Sequence, residues 1–189
     1  MSTSCDPLNK DFLSMSPPIA PWHQITSLGI YQPFNPTYLH FLISRMINLR
    51  ILSLTYQSTY DENDLEEENL IDLLNDDSLC NMLMSNGLRQ LNLFTHFVRP
   101  ILLNIAYAIV KRLVHLQVIE LNGIDDRLVE MAHIFINELP KLSFLTLNGL
   151  RDHGEIYDRQ LRHMQNQNSR FFQTEIPDTD YKEFLHIWL

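Results

Sequence analysis

Cysteine is scarce. The two in the chain, Cys5 and Cys80, form no close-spaced pair. That excludes a C-x-x-C metal or redox site and gives no support for a disulfide framework, so both thiols are expected to be reduced. No apolar run reaches the roughly 18 residues that a membrane span needs. The first twenty residues, MSTSCDPLNKDFLSMSPPIA, have neither a basic start nor a continuous apolar segment, so no secretory leader is expected there. The only N-x-S/T spacing, Asn35-Pro36-Thr37, is excluded as a glycosylation acceptor by its proline. These absences predict a cytoplasmic chain, with the nucleus left open, and no membrane partner.

Catalytic and metal-binding signatures are missing as well. There is no G-x-S-x-G, P-loop, G-x-G-x-x-G or H-E-x-x-H pattern. No two of the eight histidines stand three or four residues apart, as a helical metal site requires. Asp61-x-Asn63-x-Leu65 begins like a calcium loop but lacks the oxygen ligand at its fifth position and the glycine at its sixth. Arg50, Arg89, Lys111 and Arg112 do not interleave with aromatics, and no basic stripe exists for nucleic acid to follow. A non-enzymatic protein with no cofactor, no metal and no nucleic-acid partner is expected.

The net charge of −9 has a local origin. Nine acids lie between Asp61 and Asp77 with no base among them, and the rest of the chain carries 14 acids against 14 bases. Against this background one spacing recurs. Leu142, Leu145 and Leu147 read L-x-x-L-x-L, and so do Leu116/Ile119/Leu121, Leu88/Leu91/Leu93, Leu49/Leu52/Leu54 and Ile25/Leu28/Ile30. The units start at residues 25, 49, 88, 116 and 142, spaced by 24, 39, 28 and 26 residues. The long third spacing holds an acidic insertion at 57–69.

Helical periodicity fills the intervals. Leu102, Ile105, Ala106, Ile109, Val110 and Leu113 fall on one helix face, and Leu128, Met131, Ala132, Phe135, Ile136 and Leu139 repeat the same offsets. Leu39, Leu42, Ile43, Met46 and Ile47 form a third such face, with Asn35 as N-cap and Pro36 at the first helical position. Asp77 is expected to cap a turn carrying Leu79, Met82 and Leu83, and Gly87 to end it in the left-handed conformation. In three units the strand leucine follows the last helical one by three residues: Met46 to Leu49, Leu113 to Leu116, Leu139 to Leu142. One-sided helices each followed by a short strand, Ile25–Tyr31 and Leu49–Tyr56 being the first two, require crossovers and a parallel sheet. The expected fold is α/β, a leucine-rich repeat solenoid of about five degenerate repeats over residues 25–150.

Residues 1–24 are expected to form a tail or cap, with an amphipathic turn around Leu8, Phe12, Leu13 and Met15 and an extended stretch over Ser16–Pro21. Residues 151–189 are expected to form a C-terminal cap. In it, Tyr157, Leu161 and Met164 suit a short helix ended by Gln165–Asn168, and Arg170–Ile176 and Glu183–Leu189 read as strands around Pro177–Asp180.

The L-x-x-L-x-L units, helical convex segments and spacings near 26 resemble the ribonuclease-inhibitor-like branch of leucine-rich repeats. With the aromatic terminal strand Phe184-Leu-His-Ile-Trp-Leu189, the chain also resembles the repeat region of F-box/leucine-rich-repeat proteins. The resemblance implies protein binding, and substrate recognition in an F-box-type ubiquitin ligase. Two departures qualify it. Gln57, His96, Ile124 and Leu150 stand where the repeats have asparagine or cysteine, so no such ladder is expected. Residues 1–24 cannot supply the several-helix F-box, so a ubiquitin-ligase adaptor is a partner only if an F-box segment lies upstream.

Strand alternation assigns the candidate site. The leucines face the core, and the residues between them form three outward columns. The first is Ser27, Ile51, Gln90, Val118, Phe144. The second is Gly29, Ser53, Asn92, Glu120, Thr146. The third is Tyr31, Thr55, Phe94, Asn122, Asn148. All are expected to face water on a ledge roughly 20 Å wide. The expected function is protein–protein interaction on this concave face, with Tyr31, Ile51, Phe94, Val118 and Phe144 as apolar contacts and Glu120 as the charge between the two phenylalanines. The alternative is a structural or regulatory scaffold remnant of a larger repeat protein without binding activity of its own.

Overall fold

The computed structural model describes residues 21–31, 35–56, 71–95, 102–123, 127–148, 154–165, 170–176 and 184–189. The expectations for residues 1–20, for the acidic insertion at 57–69 and for the turn at 177–180 lie outside the described residues. Among the described residues the fold is α/β, with a seven-stranded, mostly parallel sheet.

Five strands and the helices between them follow the expected phasing. Strand β1 is Ser27–Tyr31, β2 Ile51–Tyr56, β3 Gln90–Thr95, β4 Val118–Asn122 and β5 Phe144–Asn148. Helix α1 is Pro36–Arg45, α2 Asp77–Ser85, α3 Leu102–Arg112 and α4 Leu128–Glu138. A helical stretch at 71–75 precedes α2. The Asn35 side chain accepts the Tyr38 N–H at 3.1 Å, with Pro36 opening α1, as its sequence predicts. The cap of α2 is Asp76, not Asp77. Asp76 has the extended backbone of a cap residue and accepts the Leu79 N–H at 3.0 Å, whereas Asp77 is already in the helix. The far end of α2 closes at Gly87, whose φ is +82°. The Leu88 N–H bonds back to the Leu83 carbonyl and the Gly87 N–H to that of Met84, the two bonds of a Schellman motif.

Strand order follows chain order, β1-β2-β3-β4-β5, all parallel. The strands begin two residues later than the leucine spacing suggests. Leu49, Leu88, Leu116 and Leu142 are buried, but they belong to the turns that lead into the strands. In three of these turns the three-residue step is closed by a backbone bond: Leu49 to the Met46 carbonyl, Leu116 to Leu113, and Leu142 to Leu139, at 3.0–3.2 Å. A second device recurs at each of the four steps between parallel strands. The carbonyls of Thr26, Arg50, Arg89 and Gln117 each accept two consecutive N–H groups from the next unit. The shared carbonyl fixes the register before the ladder begins.

The chain then reverses. Helix α5, Gly154–Met164, leads to β6, Gln173–Glu175, and β7, Phe184–Trp188. Strand β7 pairs antiparallel with β5 on one side and with β6 on the other, so the sheet order ends β5-β7-β6. Arg170 fastens this segment by donating to the carbonyls of Leu139 and Leu142, both at 2.8 Å. Leu185 and Ile187 join Tyr157, Leu161 and Phe172 in the same buried cluster that holds the strand leucines and the helix faces. No helix among the described residues is long and apolar enough to cross a membrane.

Candidate functional site

Residues alternate along each strand, so the leucines enter the core under the helices and the others occupy the opposite face. The three columns stand in register. Ser27, Ile51, Gln90, Val118 and Phe144 are successive lateral partners, as are Gly29, Ser53, Asn92, Glu120 and Thr146, and Tyr31, Thr55, Phe94, Asn122 and Asn148. Each column runs on to β7, where Trp188 lies beside Phe144, His186 beside Thr146, and Phe184 beside Asn148.

The columns are not evenly open to water. Tyr31 on the β1 edge is 74% exposed, while the described residues of β2 to β4 in these columns are half-buried. Thr146 and Asn148, expected to face water, are each only 8% exposed. The reason lies in the C-terminal reversal. Strand β7 sits against β5 and places His186 and Phe184 as their lateral neighbours. The sequence puts both residues on the correct face, but their burial depends on a strand some forty residues downstream. Phe144 is likewise partnered. Its ring lies 4.4 Å from that of Trp188 and 5.4 Å from that of His186, both tilted. Trp188 remains 48% exposed, so the stack presents an open aromatic surface.

Polar side chains between the aromatic positions bond to one another. Gln90 donates to Asn92 Oδ1 at 2.9 Å, and Asn92 donates to Ser53 Oγ at 3.1 Å. Asn148 Nδ2 donates to Glu120 Oε1 at 2.9 Å and to Asn122 Oδ1 at 2.6 Å, and Asn122 donates to the same Glu120 oxygen at 3.3 Å. The Oδ1 of Asn148 is buried without a hydrogen-bond partner. Such bonds hold side chains in fixed rotamers, so Glu120 is presented in one orientation.

Alternation along Phe184–Leu189 sets His186 and Trp188 opposite Leu185, Ile187 and Leu189. It gave no sign that β7 would join β5, and so Phe184, His186 and Trp188 were not assigned to the outward face. Among the described residues no group of three or more histidine, cysteine or acidic side chains could hold a metal ion. Cys80 is buried, its Sγ within 3.4 Å of the Leu74 carbonyl, and burial pushes its thiol pKa up, which suits a core position rather than a nucleophile. Compared with protein-family models, with curated proteins and with solved structures, the chain matches none.

Proposed function

We propose that the chain is a leucine-rich repeat solenoid of the ribonuclease-inhibitor-like type and that its outward, concave sheet face binds a partner protein, with no enzymatic activity of its own. The observation that supports this most is the continuity of that face. Three columns run in register across five parallel strands and on to β7. They hold half-exposed apolar side chains, Ile51, Phe94, Val118 and Phe144, on the side away from the helices. Aromatic anchors of this kind, ringed by fixed polar groups, are what protein interfaces use for most of their binding energy. The ledge is small, so the affinity is modest unless neighbouring loops join it.

Affinity purification from the native cell tests the proposal. The wild-type chain should retain a specific protein that the folded Phe94→Ser/Phe144→Ser variant does not. Recovery of the same protein by the wild type and the variant, each folded by circular dichroism, would remove the concave face as the site. A role in substrate recognition within an F-box-type ubiquitin ligase predicts that the ligase adaptor is also recovered when a chain carrying an upstream F-box is used as bait. The alternative, a scaffold segment, draws on the first unit. Ile25, Leu28 and Ile30 are only half-buried there, an apolar edge that packing within a larger assembly would cover.

A further inference from the structure

We infer that the concave face, read as a protein-binding face as above, recognises an arginine side chain of its partner, seated on Glu120 beside the Phe144 aromatic stack. The first ground is an uncompensated charge. Glu120 is half-buried, and its hydrogen-bond partners are two neutral carboxamides, those of Asn122 and Asn148. Among the described residues no lysine or arginine pairs with it. The three columns, followed from β1 to β7, contain no lysine or arginine at all. A carboxylate held in one orientation on such a face attracts a cation from outside.

The second ground is an acceptor with nothing to accept. Asn148 is more than nine-tenths buried, both of its donor bonds point into the Glu120–Asn122 cluster, and its Oδ1 has no partner. A buried polar atom left in that state is costly. A guanidinium carries five N–H donors in one plane and can serve a carboxylate and a neighbouring carbonyl together, which an ammonium matches poorly.

The third ground is the aromatic wall. Phe144 is one residue pair along β5 from Thr146, the lateral partner of Glu120, so it is the diagonal neighbour of the carboxylate, within reach across the strands. Trp188 and His186 stack on Phe144 from the β7 side, leaving its β4 side towards Val118 and Glu120. A guanidinium lying on an aromatic ring while bonding a carboxylate gains from both contacts.

A displayed library of random dodecapeptides, panned against the full chain, supplies the probe. The expected result is a set of binders sharing one arginine flanked by apolar residues, all losing binding to the folded Phe94→Ser/Phe144→Ser variant. In a synthetic copy of the best binder, arginine replaced by the neutral isostere citrulline should weaken binding at least about tenfold to the wild type and less than about twofold to Glu120→Gln. Lysine in that place should weaken it several-fold. Binders that need the concave face but carry no arginine, or a citrulline penalty undiminished in Glu120→Gln, would overturn the arginine seat while leaving the protein-binding face standing. Equal binding by the lysine peptide would overturn the choice of arginine. Binders indifferent to the double variant, or no binders at all, would count against the concave face itself and so against both readings.

Discussion

The first unit and the last parallel unit are built from the same pattern and end up in different environments. In β1, Leu28 and Ile30 are half-buried, and α1 buries only Leu39, Leu42 and Ile43. In β5, Leu145 and Leu147 are completely buried, and α4 beside it buries seven residues, including Val129 and Ile134 outside the face its periodicity marks. The difference is the number of neighbours. Among the described residues, strand β1 has β2 on one side, whereas β5 lies between β4 and β7, and α4 packs against both α3 and α5. A repeat in a stack is stabilised by the units that flank it. The same leucine spacing therefore carries different energetic weight at the two ends.

The largest expected effect contrasts the two strands directly. Leu145→Ala should destabilise the protein by about 3–5 kcal/mol, from lost transfer energy and the cavity left behind. Leu28→Ala, at the half-buried edge, should cost about 1 kcal/mol. Urea melts of the two variants give both values, and equal losses would show that the edge unit is as enclosed as the centre.

Next come the side chains that secure helix-to-strand turns. Asn86 donates to the carbonyls of Ile43 and Met46 at 2.9 and 3.1 Å, at the end of α1. Arg170 does the equivalent at the end of α4, with a charged donor. Removing the charged one should cost more: about 2 kcal/mol for Arg170→Ala against about 1 kcal/mol for Asn86→Ala. Thermal denaturation in matched buffers decides the order.

A smaller contrast concerns the outward face. Thr146→Ala should cost about 1 kcal/mol, because its side chain is enclosed beside His186. Ser27→Ala, in the exposed part of β1, should cost less than about 0.5 kcal/mol. Equal and negligible losses would mean that β7 does not shelter β5.

The smallest effect is a pH dependence at the N-terminal end. The Leu79 N–H and then the His40 side chain, 2.7 Å away, hold the Asp76 carboxyl below its ordinary pKa, against the opposing effect of its partial desolvation. A carboxylate depressed in the folded state adds stability that is complete above its unfolded pKa and is lost as pH falls through the folded one. Between about pH 6 and pH 3 the wild type should therefore lose slightly more stability than Asp76→Asn. Urea midpoints across that range check it, and parallel curves would remove Asp76 from the acid response.

Much of this architecture is legible in the residues. The helix faces of α3 and α4, the Asn35 cap, the left-handed Gly87 and the register of all five parallel strands follow from local spacing, because periodicity and turn chemistry act over a few residues. Two features escape, for different physical reasons. The choice of Asp76 over Asp77 depends on a single backbone conformation, which two adjacent aspartates do not distinguish. The burial of Thr146 and Asn148, and the aromatic stack on Phe144, depend on a pairing between β5 and β7 across the C-terminal reversal. Alternation told which way His186 and Trp188 point, but not against which strand.

The two faces of the protein offer the most direct test of the binding claim. Phe94 and Phe144 stand on the sheet face away from the helices, and Tyr107 of α3, 57% exposed, stands on the helical side. With the partner recovered by affinity purification, calorimetric titration should be run on the wild type, on Phe94→Ser/Phe144→Ser and on Tyr107→Ser, each first shown to melt cooperatively. Truncating an aromatic anchor costs about 2 kcal/mol or more, so the sheet-face double variant should raise Kd by at least about 100-fold and the helical variant by less than about twofold. Wild-type affinity in the folded sheet-face variant, with a loss in Tyr107→Ser, would contradict the account and move the binding surface to the helices.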